Sequence, residues 1–194
     1  LRFIWLNMIA FSELEDEVVD FQKLDQIMPS DQFFTDLEQP WRYHSLPCLL
    51  KTHQNYRSEF QPFQAIHVVR NPLDAMVSNY NYFKARIGGP SDQTLSGLED
   101  RMFSNLSRHE GSFDNFVREP FQSWCDHYLS WQQQSSIPVA YEALTGSPAE
   151  EVLTMLMQDL SLEVEQVAIV DAIRRSDRKV VGRLPPSSKM ANLE

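Results

Sequence analysis

The run Val68-Val69-Arg70-Asn71-Pro72-Leu73-Asp74-Ala75-Met76-Val77-Ser78 decides how this chain folds. Upstream, Ala65 to Val69 is apolar apart from His67 and stops abruptly at Arg70, which reads as a short strand. Asn71 and Pro72 then open a helix, because Asn is a good N-cap and Pro suits the first helical position. Asp74, three residues after the cap, can complete a capping arrangement. A strand thus delivers an arginine to the positive end of a helix, a natural place for an anion. Ser78 lies one turn beyond Asp74, so its hydroxyl can share the arginine's side of the helix. The pairing suggests a phosphate read by one guanidinium and one hydroxyl.

Working outward, the helix from Pro72 runs to about Ala85 and is broken by Gly88-Gly89-Pro90. Upstream, Pro47 to His53 reads as a short buried strand ending in polar residues, and residues 29–46, with Pro29 and Pro40, read as loop. A helix is expected over 1–13, followed by an acidic helical or irregular stretch to Lys23. Residues 91–112 are polar and suit a mobile cover. Phe113 to Gln134 carries aromatic residues at helical spacing, with Pro120 forcing two helices or a kink. Pro138 to Tyr141 is a third strand. Ser147-Pro148-Ala149-Glu150 resembles a capped helix start with proline at the first turn. That helix runs to about Leu160, and another covers about 163–175. Short apolar strands alternating with helices imply an α/β fold, a parallel sheet flanked by helices. Ligands in such sheets gather at the carboxyl ends of strands, and His53, Arg70 and Tyr141 each fall at one.

Composition narrows the function. The chain has 194 residues, enough for a substantial core, and is read as one domain over 1–194. A net charge of −10 argues against nucleic acid as a partner, since phosphate neutralisation needs clustered Lys and Arg. The exception, Arg174, Arg175, Arg178, Lys179 and Arg183, reads as a solvated helix end rather than a binding patch. Cys48 and Cys125 are too few for a disulfide framework and fit a reducing compartment, hence a cytoplasmic location. Neither has metal-ligand spacing to the histidines, so no metal is expected. Leu1 to Phe11 is too short and too polar to span a bilayer.

Each polar residue at a strand end also admits a structural role. His53 suits a solvated strand-end histidine, and Arg70 suits a salt bridge to Asp74. Ser78 suits a small packing residue, and Tyr141 suits the core. His44, His67, His109 and His127 are given no functional role; His67 sits inside a strand and His127 in an aromatic helix, and both suit packed, hydrogen-bonded histidines.

Taken together, Leu50-Lys51-Thr52-His53, Arg70-Asn71-Pro72 with Ser78, Trp124 to Trp131, and Tyr141-Glu142 resemble a cytosolic-type sulfotransferase in order and spacing. The resemblance implies a P-loop NTPase-like fold and transfer of a sulfuryl group from 3′-phosphoadenosine 5′-phosphosulfate (PAPS). The acceptor would be a hydroxyl or amine on a small molecule or glycan. It also implies residue roles. Arg70 and Ser78 would hold the 3′-phosphate, and Tyr141 would lie against the adenine. His53 would be the general base, with Lys51 placing positive charge near the transferring group. Sulfuryl transfer, like phosphoryl transfer, proceeds in line between two oxygens, so positioning and charge stabilisation dominate. A P-loop kinase relative fits less well, because these motifs do not match a kinase's magnesium-binding set.

Two family features are not recognisable. No glycine heads a strand-to-helix turn bearing Lys and Ser or Thr, the loop that would cradle the 5′-phosphosulfate. The C-terminal Arg-Lys-Gly loop is also missing, Asp177-Arg178-Lys179-Val180-Val181-Gly182 being a poor substitute. The expectation is therefore an internal fragment, its first strand lost, that is weak or inactive alone. The alternative is a non-catalytic nucleotide-binding or interaction module on the same fold.

Overall fold

The computed structural model describes residues 1–14, 19, 20, 23, 24, 27, 28, 41–84 and 112–177. In chain order its elements are α1 (Arg2–Glu13), β1 (Ala65–Val69), α2 (Pro72–Lys84), α3 (Phe113–Phe116), α4 (Arg118–Gln132), β2 (Ser136–Ala140), α5 (Tyr141–Thr145), α6 (Ala149–Asp159) and α7 (Gln166–Arg175). A 3-10 turn covers Ser58–Phe60. The architecture is α/β, with a small parallel sheet flanked by helices. Its contacts divide into two units, one of Leu1–His53 with Glu142–Asn192, the other of Gln54–Tyr141. The expected cover at 91–111 and most of the loop at 29–46 lie outside the described residues.

In the first unit α1 is buried all round from Ile4 to Ala10, as a central helix must be. It packs on α7, where Ala168 and Ala172 flank Ile169 and small side chains permit close approach. Burying Asn7 among these residues is offset by its amide donating to Ser176 Oγ at 3.0 Å. The Trp5 indole N–H donates to the Pro47 carbonyl at 2.9 Å. That bond bears on the strand expected over 47–53, which is reduced to a single bridge residue, Lys51. Pro47 has no N–H, and its carbonyl is already taken by Trp5, so neither group can join a ladder. Glu13 Oε1 accepts the amides of His44 and Ser45, tying the same irregular segment to the end of α1.

The start of α6 also differs in detail from expectation. Pro148 is the N-cap, with no side-chain cap bond, and its carbonyl accepts Val152 N–H at 2.9 Å. The preceding turn is closed by backbone, with Ala149 N–H donating to Gly146 C=O. Gly146 is required there, because a Cβ would stand 2.9 Å from the Glu142 carbonyl oxygen. At the other end, Ser161 adopts φ 55°. Its N–H bonds Gln158 C=O while Leu162 N–H bonds Met157 C=O, the paired arrangement of a Schellman motif.

In the second unit β1 and β2 pair in parallel, with Ala65 opposite Ser136 through to Val69 opposite Ala140. Parallel pairing requires a long crossover, and the chain between supplies α2, α3 and α4. The expected break near Pro120 falls at Val117, leaving Pro120 in the first turn of α4, where a missing N–H costs nothing. Trp131 anchors the core of this unit. Its indole donates to the Gln54 carbonyl at 3.0 Å, Tyr56 packs edge-on to it at 5.3 Å, and Phe60 stacks at 5.5 Å. His67 on β1 is buried against Tyr128 and His127 of α4.

Candidate anion-binding site

At the carboxyl end of β1 the backbone does what the Asn-Pro pair dictates. Asn71 Oδ1 accepts the Leu73 N–H at 2.9 Å, and Asn71 C=O accepts the Ala75 N–H at 2.9 Å. The side chain thus caps one of the orphan donors of α2, and the helix begins at Pro72. Asp74 sits in the first turn, exposed. Among the described residues no ion pair joins it to Arg70.

Arg70 is half-buried between strand and helix. Its guanidinium carbon lies 4.9 Å from the centre of the Tyr141 ring, within cation–π range. Its Nε is buried and has no hydrogen-bond partner among the described residues. Leaving such a donor unpaired costs about 1–3 kcal/mol, more for a charged group. An acceptor arriving at that nitrogen removes the cost and gains a charge-assisted bond. The residues present therefore fit an anionic group.

The structure brings Arg70 and Tyr141 together. Ser78 stands on the exposed side of α2, one turn after Asp74, and does not bond Arg70 among the described residues. Lys51 and His53 belong to the first unit, both exposed, with Thr52 between them half-buried. Tyr141 is itself 39% exposed and opens the short helix α5 directly after β2. Sequence reasoning did not foresee its contact with Arg70. The signal was present in part, because both residues immediately follow strands, but the register needed to align them is not written in either strand.

A second feature of the same strand also went unassigned. The His67 and His127 rings lie 5.8 Å apart, and His127 Nε2 is buried without a partner among the described residues. Burial lowers the pKa of both imidazoles, and for His127 the positive charge of a protonated His67 adds to the effect. Both are therefore neutral at pH 7 and serve as packing groups, His67 three residues before Arg70 on β1 and His127 on α4. At the end of α7, Arg174 and Arg175 both pair with Asp171, the former at 2.6 Å, as a charged helix end would. Arg178, Lys179 and Arg183 lie outside the described residues. No helix among the described residues is long and apolar enough to cross a membrane.

The family model for the sulfotransferase domain matches residues 2–168 of the chain. No curated protein and no solved structure gives a significant match.

Proposed function

Because the chain belongs to the sulfotransferase domain family, we propose that it moves a sulfuryl group from PAPS to a hydroxyl or amine of a small molecule or glycan. In this reading Arg70 and Ser78 hold the 3′-phosphate and Tyr141 lies against the adenine. His53 takes the acceptor's proton, and Lys51 offsets negative charge near the transferring group. The supporting observation is the buried, unpartnered Nε of Arg70 at a strand end, beside the capped start of α2. A charged donor held in that state is a cost without a ligand and an asset with one.

When bound, PAPS supplies the activated sulfuryl group; the chain's own residues bind, orient and move a proton. Arg70 presents a planar fork suited to phosphate oxygens, which fixes where the nucleotide sits. His53 is exposed, so an acceptor hydroxyl can reach it, and a histidine ring nitrogen is the commonest general base for such a proton. Taking the acceptor's proton at a ring nitrogen, as the acceptor's bond to sulfur forms and the sulfur–oxygen bond to the departing adenosine 3′,5′-bisphosphate breaks, makes a poor nucleophile competent, contributing on the order of 10²- to 10⁴-fold. Lys51, one residue from Thr52 and two from His53, adds a compact positive charge on the same segment.

The test is transfer of labelled sulfate from PAPS to a panel of hydroxyl and amine acceptors. His53→Ala is expected to lower kcat by roughly 10²- to 10⁴-fold with little change in nucleotide affinity. Arg70→Ala is expected to weaken adenosine 3′,5′-bisphosphate binding roughly ten- to hundredfold, as loss of charge-assisted bonds should. Turnover that survives both changes intact would refute the assigned residues. Bisphosphate binding without any turnover would favour the non-catalytic module.

A further inference from the structure

We propose that Tyr141 is a positioning residue for Arg70, its ring holding the guanidinium so that the Nε edge faces the 3′-phosphate. This deepens the donor reading above and rests on it. Val69 pairs with Ala140 in the parallel register, so Arg70 and Tyr141 are the residues that directly follow the ends of two adjacent strands. The guanidinium carbon is 4.9 Å from the ring centre, where the negative face of the aromatic system attracts a cation. An arginine at a strand end has many rotamers, and fixing one costs entropy when a ligand binds. The Tyr141 contact fixes it beforehand. Guanidinium N–H groups all lie in one plane and point outward along its edges. The guanidinium carbon stands over the face of the ring, and Nε is the buried donor without a partner among the described residues. The edge shared by Nε and one terminal nitrogen can grip two oxygens of a phosphate.

The consequence is specific: recognition of the 3′-phosphate depends on the aromatic ring of Tyr141 and not on its hydroxyl. Calorimetry on the full chain with adenosine 3′,5′-bisphosphate and with adenosine 5′-phosphate reads this directly, since only the first carries the 3′-phosphate. The ratio of the two affinities isolates the increment due to the 3′-phosphate. Tyr141→Phe is expected to keep the wild-type ratio. Tyr141→Leu is expected to shrink it about three- to tenfold, the range of a partly desolvated cation–π contact. In an Arg70→Lys background, Tyr141→Leu should leave the ratio unchanged, because the planar fork is gone. Circular dichroism melts verify folding, and Tyr141→Gln repeats the measurement should the leucine variant not fold. A wild-type ratio in Tyr141→Leu overturns the positioning role while leaving the 3′-phosphate reading intact. An equal loss of both ligands also overturns it, since the ring would then serve the adenine alone. If the wild-type chain shows no preference for the bisphosphate, the 3′-phosphate reading itself fails, and the positioning role with it.

Discussion

Ser161 closes α6 in a conformation that L-residues other than Asn, Asp and His rarely adopt, with φ at 55° and both Schellman bonds made. A side chain in the left-handed region costs roughly 1–2 kcal/mol relative to glycine, partly offset by the greater freedom of glycine in the unfolded chain. Ser161→Gly is therefore expected to stabilise the protein by up to about 1 kcal/mol, read as a higher midpoint in urea or thermal unfolding. An unchanged or lower midpoint would mean that the serine hydroxyl contributes something the backbone geometry does not reveal. Gly146 is the opposite case, since the Glu142 carbonyl occupies the space that a Cβ would need. Arg70 shows how a single position can be readable from sequence and still incomplete. Its place at a strand end followed from local signals, the apolar run and the Asn-Pro start. Its orphaned Nε and its seat on Tyr141 did not, because both depend on residues distant along the chain.

Elements were legible where their signals are local. The strand 65–69 and the start of the helix at Pro72 stand where the sequence puts them, because an N-cap and a first-turn proline act within a few residues. The strand expected at 47–53 is reduced to a bridge at Lys51, and at its start the Trp5 indole, from another element, takes the Pro47 carbonyl. Such competition is tertiary and leaves no trace in periodicity. The pairing of β1 with α4 has a consequence of its own through His67 and His127. Burial holds both imidazoles below their ordinary 6.5, so protonation favours the unfolded chain. Stability is thus expected to fall as pH drops below about 6.5 and to level off once both rings are protonated in the folded state. Melting temperatures measured from pH 7.5 to 5 should show this slope. His127→Phe should flatten it, and a slope unaltered in that variant would place the proton uptake elsewhere.

At the scale of the molecule, membership of the family was legible because its motifs are short and lie in sequence order, from Lys51-Thr52-His53 through Arg70 to Tyr141. Their geometry was not, since the meeting of Arg70 with Tyr141 depends on the alignment of two strands separated by the whole crossover. A ligand bound by the folded chain alone raises its stability by mass action, about 2.7 kcal/mol at a hundredfold excess over Kd. Adenosine 3′,5′-bisphosphate at that excess should raise the melting temperature by several degrees in the wild type and by much less in Arg70→Ala. Equal shifts in both would place the nucleotide away from Arg70. The parallel register carries one more consequence. Long-range strand pairing must overcome loop-closure entropy before any contact rewards it. The proposed phosphate clamp therefore cannot form before the strands have met, and during synthesis that meeting waits for β2 to emerge. A nucleotide that bridges the two strand ends would act as a latch on the sheet, slowing amide hydrogen exchange at Val69 and Ala140 and making occupancy a reporter of completed folding.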